Sequence, residues 1–213
     1  MTYDLSSLFF SSAFSYLLGS IPFGLILTHL LGYGDIRKEG SGNIGATNAL
    51  RVGGLSLGVL TLLFDILKGF GAVLLVRKYS FLTGAHGGPE LEFLSAYSAV
   101  VGHVFPLWLK FKGGKGVATA LGVMTALSPS LGLFVFLTWL LVAYCTGYSS
   151  LSSLISAALS PFYAYYLIGL EGALALCAIT LLILYRHGEN IKRLLSQTEP
   201  KIGSGSKPSS LSS

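Results

Sequence analysis

The sequence predicts an all-α fold, a polytopic integral membrane helix bundle. Three observations carry this. Of 213 residues, 52% are hydrophobic and only 11% charged, where soluble domains carry about 25% charge. Mean hydropathy is +0.70. The charges are also segregated: 5–34 holds no Asp, Glu, Lys or Arg, and neither does 116–170. Runs of that length accommodate membrane crossings at about 20 residues each.

The first helix is expected over roughly Ser6 to Leu31. It lacks a basic leader and exceeds the apolar core of a signal peptide, so it reads as a retained membrane helix. The second is expected over Leu55 to Val76, the third over about Phe93 to Leu109, and the last over about Gly172 to Tyr185. Between the third and last, Ser128-Pro129 and the stretch from Gly147 to Ser153 carry helix-ending or loop signals. The first segment of that run, Val117 to Leu127, is short for a crossing and reads as a half-helix or a full span.

Loop charge orients the bundle. Arg37, Lys38 and Arg51 follow the first helix, Lys110, Lys112 and Lys115 the third, and Arg186, Lys192, Arg193, Lys201 and Lys207 the last. Grouping them on one face leaves Arg77 and Lys78 opposite and Lys68 inside a helix. The positive-inside rule then puts the N-terminus outside and the C-terminus in the cytoplasm. The run 116–170 must start inside and end outside; three crossings there give seven transmembrane helices. Residues 1–200 form one membrane-embedded domain and 201–213 a flexible cytoplasmic tail rich in Ser and Gly.

Several function classes drop out. The net charge of +5 follows from topology, and no nucleic-acid motif accompanies it. Cys145 and Cys177 lie inside apolar segments without CxxC spacing and read as packing residues. The four histidines show no ligand spacing, so no metal is expected. No cofactor and no obligate protein partner is expected either.

Chemistry-bearing residues gather in three stretches on the cytoplasmic face. The first, 40–51, interleaves Gly40, Gly42 and Gly45 with Ser41, Asn43, Thr47, Asn48 and Arg51, donors beside a guanidinium suited to phosphate. The second runs Lys112-Gly113-Gly114-Lys115-Gly116 and opens directly into an apolar helix. Glycines there let backbone amides approach an anion, and the helix start adds partial positive charge. It is not a Walker A loop, since Val117 follows Gly116. The third, 186–193, places His187 three residues before Asn190, beside Glu189, Lys192 and Arg193. A topological basic loop, helix capping by Asn43 or Thr47, and an interfacial histidine are the corresponding structural readings. His29, His86 and His103 stand isolated and carry no assigned role. Asp65 and Lys68, at i,i+3 in the second helix, read as a structural ion pair facing the interior.

Taken together, GSGNIGATN…R, KFKGGKGVAT and RHGENIKRL, with Ser20-Ile21-Pro22-Phe23-Gly24, Asp65-Ile66-Leu67-Lys68-Gly69 and Gly102-His103-Val104-Phe105-Pro106, resemble the bacterial acyl-phosphate:glycerol-3-phosphate acyltransferases, the PlsY family. The resemblance covers about Gly19 to Glu199. It implies a seven-helix membrane enzyme that transfers a long-chain acyl group from acyl phosphate to the sn-1 hydroxyl of glycerol 3-phosphate, giving lysophosphatidic acid. It implies that Ser41 and Arg51 are the functional pair of the first motif and that Lys112 to Lys115 bind phosphate. It further implies that His187 and Asn190 form the third-motif pair, with Glu189 matching a glutamate needed for integrity. Gly188 departs from the pattern, an arginine being common there.

An acyl phosphate is already activated, so catalysis reduces to positioning and oxyanion stabilisation. Either the acceptor's phosphate or His187 takes the proton. A covalent Ser41 is disfavoured, because neither a GxSxG elbow nor a triad order is present. Two rivals stand beside this reading. A transporter of a phosphorylated small molecule would place its site near the midplane between repeats, which are not visible. An acyl-CoA or acyl-carrier-protein enzyme with a His-x4-Asp pair finds no such pair.

Overall fold

The computed structural model describes residues 5–83 and 88–203. Among these the fold is entirely helical: α1 (Leu5–Gly19), α2 (Phe23–Leu30), α3 (Ala46–Thr83), α4 (Gly88–Val104), α5 (Val117–Leu127), α6 (Pro129–Thr146), α7 (Ser149–Arg186) and α8 (Gly188–Leu195). Among the described residues, four stretches are long and apolar enough to cross a membrane: Leu5–Leu30, Ala46–Thr83, Pro129–Thr146 and Ser149–Arg186. The bundle is apolar without, and within it mixes a close-packed apolar core, with Val73, Val100, Met124, Leu176 and Ile179, and many buried polar side chains. Leu141, Tyr144, Leu174, Leu181 and Tyr185 face outward, while Ser15, Ser152 and Ser160 are buried and hydrogen-bonded. Lipid on the outside makes this arrangement favourable, since only the interior supplies partners for polar groups.

Three expectations are corrected. The first helix does not run unbroken from Ser6 to Leu31: it stops at Gly19 and resumes at Phe23. Pro22 has no amide hydrogen and its ring opposes the preceding turn. The carbonyls freed by the break find partners elsewhere: Trp108 Nε1 donates to Ser20 at 3.0 Å and Lys68 Nζ to Ile21 at 2.7 Å. The third helix ends at Val104 rather than Leu109, because Pro106 stops it and a 3-10 turn, Leu107–Leu109, follows. Cys145 and Cys177 are exposed free thiols on the bundle surface, not packing residues.

Small residues let the helices approach closely. A methyl on Gly102 would collide with the Tyr16 carbonyl and one on Gly122 with that of Ile66, so α1 seats on α4 and α5 on α3. Ser15 and Ser95 share a buried hydrogen bond of 2.7 Å between α1 and α4. Gly54 (φ 74°, ψ −168°) and Gly169 (φ 84°, ψ −176°) break α3 and α7 internally, conformations open essentially to glycine alone. The result is a short stretch of helix, 46–53, ahead of 55–83, and two antiparallel rods, 149–168 and 170–186.

The pair anticipated at Asp65 and Lys68 forms, at 2.8 Å and almost fully buried. His103 is not isolated: its Nδ1 lies 3.6 Å from the same carboxylate. His29 is a residue of α2; His86 falls outside the described residues. Of the tail, 201–203 is described and lies against the bundle, Ile202 donating its amide to Gly147 at 2.8 Å; the remainder of 201–213 lies outside the described residues.

Candidate active site

The three polar stretches meet at one end of the bundle. The first is organised by Asn48, whose side chain is buried. Its Oδ1 accepts from the Ser41 amide at 2.8 Å, and its Nδ2 donates to the carbonyls of Ile36 (3.2 Å), Glu39 (3.0 Å) and Asn43 (2.8 Å). Every polar atom of Asn48 is therefore committed within the loop, and its contribution is to shape it. Gly40 and Gly42 have positive φ, and a Cβ on Gly40 would strike Asn48 Oδ1. Asn43 Oδ1 accepts from the Gly45 amide at 2.9 Å, an Asx turn that leads into α3. Thr47 shares a 3.2 Å hydrogen bond with Ser149, joining the start of α3 to that of α7. The Ser41 side chain is exposed at the loop's tip.

The second stretch folds back on the end of α4. Gly113 and Gly114 donate their amides to Val104 (3.0 Å) and His103 (3.1 Å), so those two N–H groups are not the anion cradle anticipated from the glycines. Their lack of a side chain serves close packing instead: a Cβ on Gly113 would strike the His103 carbonyl, and one on Gly114 the His103 imidazole. Gly116 takes φ 84° as it turns the chain into α5. The N–H groups available to an anion are those of the first turn of α5, where the helix dipole adds to them.

The third stretch locks onto the second. Arg186 donates to the Gly113 and Gly114 carbonyls at 3.0 and 3.2 Å. His187 caps α7 and is buried; its Nδ1 donates to the Ile183 carbonyl at 2.8 Å. That assigns the ring hydrogen to Nδ1 and leaves the Nε2 lone pair free. Burial, then the Lys115 ammonium, depress His187 to about 4, with Arg186 adding to the effect and the Ile183 hydrogen bond and Glu199 opposing it. The imidazole is neutral at pH 7. Asn190, on the first turn of α8, is buried and donates Nδ2 to Glu199 at 2.6 Å.

Electrostatics link the stretches. Burial holds Lys115 down at about 8; Glu199 counters this, while Arg193, Arg51 and Arg186 reinforce it. The cations divide into two groups. Arg186 is bound to backbone carbonyls, Arg193 to Glu199 at 2.7 Å, and Lys192 to Glu189 at 2.9 Å on an outer face where both side chains are largely exposed. The side chains of Arg51, Lys112 and Lys115 make no hydrogen bond or ion pair among the described residues. Lys192 and Glu189 thus stand apart from the cluster, and Arg186 and Arg193 belong to it. Reading the sequence alone missed Glu199, whose role depends on the tail folding back, and undervalued His103, which supports the glycine loop from beneath.

The chain's residues 9–197 match the family model described as glycerol-3-phosphate acyltransferase. A glycerol-3-phosphate acyltransferase of Mesorhizobium japonicum is 46% identical over 203 residues, covering 95% of this chain and 98% of the relative. One from Brucella anthropi is 48% identical over 191 residues, covering 89% and 90%. Crystal structures of PlsY (YgiH), an integral membrane glycerol 3-phosphate acyltransferase, align in its glycerol 3-phosphate form (TM-score 0.84, 41% identity, 93% of this chain and 96% of that one) and in its lysophosphatidic acid form (TM-score 0.82, 40% identity, with the same coverage). The fold, the three meeting motifs and these matches together place the chain in the family of integral membrane glycerol-3-phosphate acyltransferases.

Proposed function

We propose that the chain transfers a long-chain acyl group from acyl phosphate to the sn-1 hydroxyl of glycerol 3-phosphate, releasing phosphate and lysophosphatidic acid. The observation that carries this is a pair of uncommitted cations, Arg51 and Lys115, that act on one another at the N-terminus of α5 beside a neutral His187, with Lys112 three residues ahead of Lys115 on the same loop. Each substrate brings a phosphate of about −1.5 to −2 charge. Three cations and about half a charge from the helix dipole offset the sum.

In this reading Arg51, Lys112, Lys115 and the start of α5 hold the two phosphates and bring carbonyl and hydroxyl together. Ser41 and the loop that Gly40, Gly42, Asn43 and Asn48 shape donate to the oxygen that becomes negative on the acyl carbon. His187 Nε2 accepts the hydroxyl's hydrogen bond and aims its oxygen; Asn190 flanks it. The hydroxyl oxygen forms the ester bond, the carbonyl–phosphate bond breaks, and the proton ends on phosphate. A phosphate dianion, with a pKa of about 6, is a better acceptor than an imidazole held at about 4. The acyl chain lies among the apolar outer faces of the helices.

The same reading has seven crossings with the N-terminus outside and the active site facing the cytoplasm in a bacterial cell membrane. Supporting it, the three motifs and the 147–149 turn share one end of the bundle, while Arg77 joins Glu92 (2.6 Å) and the Ala126 carbonyl (2.8 Å) at the other. At 11 residues α5 is about 16 Å long, so that crossing is completed by the loop before it.

Product analysis tests the reaction. With palmitoyl phosphate and glycerol 3-phosphate, one phosphate should appear per lysophosphatidic acid, with the acyl group at sn-1. Phosphate release that ignores the acceptor would show an acyl phosphatase instead.

A further inference from the structure

Glu199 lies beyond α8, on the segment that returns over the α6–α7 turn. The Ile202 amide bonds to the Gly147 carbonyl at 2.8 Å and Lys201 Nζ sits 5.5 Å from the Tyr148 ring, and this docking turns Glu199 inward until 8% of it is exposed. Its two oxygens divide their work: Oε1 accepts from Asn190 Nδ2 at 2.6 Å and Oε2 from Arg193 Nε at 2.7 Å. It is the carboxylate that acts on both Lys115 and His187. Glu189, the acid nearest in sequence, points outward to Lys192 instead.

Resting on the site reading given above, we infer that Glu199 is a positioning residue of the acyl transfer, fixing the orientation of the Asn190 amide and holding the Arg193 guanidinium beside Lys115. A carboxylate at neutral pH only accepts hydrogen bonds, so it admits the Asn190 amide in one orientation, NH2 inward and carbonyl outward. The Asn190 oxygen is thereby turned away from the tail, available to a substrate hydroxyl. A glutamine at the same place both donates and accepts, and the amide of Asn190 then loses its single orientation. Removing the carboxylate also removes the negative charge that offsets Arg51, Arg186 and Arg193 around Lys115, with neutral His187 on the remaining side. Lys115 then loses its proton at lower pH.

The test compares wild type, Glu199→Gln and Glu199→Asp, purified in lipid, with palmitoyl phosphate and glycerol 3-phosphate across pH 5.5–9.5. For Glu199→Gln, kcat should fall about tenfold. The alkaline limb of kcat/KM for glycerol 3-phosphate should move down by about one pH unit. Glu199→Asp retains the charge and an acceptor-only group, so its limb should coincide with wild type while kcat falls less. Should Glu199→Gln not fold, the Glu199→Asp limb still decides, and a displaced limb there overturns the inference. Equal losses in both variants with unmoved limbs would reveal packing alone, and profiles that superimpose on wild type would overturn the inference outright. An inactive wild type would instead remove the site reading and this one with it.

Discussion

Arg51, Gly114 and Lys115 show three ways in which one side chain, or its absence, serves the site. Arg51 is uncommitted in the structure while lying close enough to bear on Lys115. Arg51→Ala should therefore leave folding intact and lower kcat/KM by about 10²–10³, the range for removing one preorganised electrostatic contact. Turnover assays, with thermal unfolding as the control, check this. Gly114 is limited by space: a Cβ would land on the His103 imidazole. Gly114→Ala should cost about 1–3 kcal/mol of stability by overpacking, and His103→Ala in the same chain should remove most of that penalty, as read from a double-mutant cycle of unfolding. Lys115 is limited by charge. Burial lowers its pKa to about 8, and a bound phosphate favours its protonated form. Glycerol 3-phosphate binding near pH 8 should then take up a proton, and affinity should weaken as pH rises through that value. Calorimetry in buffers of different ionisation enthalpy measures both. Residue types and clustering made Arg51, Lys115 and His187 legible in the sequence. His103 was not, because its partner comes from another element: Asp65 lies on α3 and His103 on α4, a proximity no spacing rule conveys; Glu199 was not, because it meets Asn190 and Arg193 only where the chain folds back beyond α8.

Breaks, more than lengths, distinguish the elements. The short helix Val117 to Leu127 and the stops at Ser128-Pro129 and Gly147 could be read directly, since cap signals and composition change together there. The interruption at 20–22 was hidden by a continuous apolar run, although Pro22 alone specified it. The second helix was expected from Leu55, which agrees with the break at Gly54, but the helix 46–53 ahead of that break was invisible for another reason. A glycine tolerated inside a helix and one that ends it look the same in sequence; only their φ and ψ separate them. A methyl added to Gly54 or Gly169 would meet nothing within 4 Å, so backbone conformation alone should set the effect of substitution. Gly54→Ala and Gly169→Ala should each cost about 1–3 kcal/mol. Activity should suffer selectively in Gly54→Ala, because 46–53 carries Thr47, Asn48 and Arg51. Equal retention of specific activity in the two folded variants would show that the break in α3 does not position the site.

Across the whole molecule, the apolar helix bundle and the placing of its charges at the helix ends were legible in composition and in the segregation of charge, because a bilayer constrains both. The convergence of three motifs on one face followed from loop charge. How they interlock did not, since Arg186 gripping the glycine loop and the tail returning to Gly147 are contacts between distant segments. Orientation can be tested with single cysteines in a background lacking Cys145 and Cys177. Phe81→Cys, at the end opposite the motifs, should react with an impermeant maleimide on intact cells. Leu195→Cys, on α8, should react only after permeabilisation. The reverse pattern would invert the bundle.

Donor choice is the most direct test of the central claim. Purified protein in lipid is given labelled glycerol 3-phosphate with either palmitoyl phosphate or palmitoyl-CoA. Lysophosphatidic acid formed from the acyl phosphate alone is the predicted result. Product from palmitoyl-CoA, or none from either while the folded protein carries glycerol 3-phosphate into sealed vesicles, would contradict it.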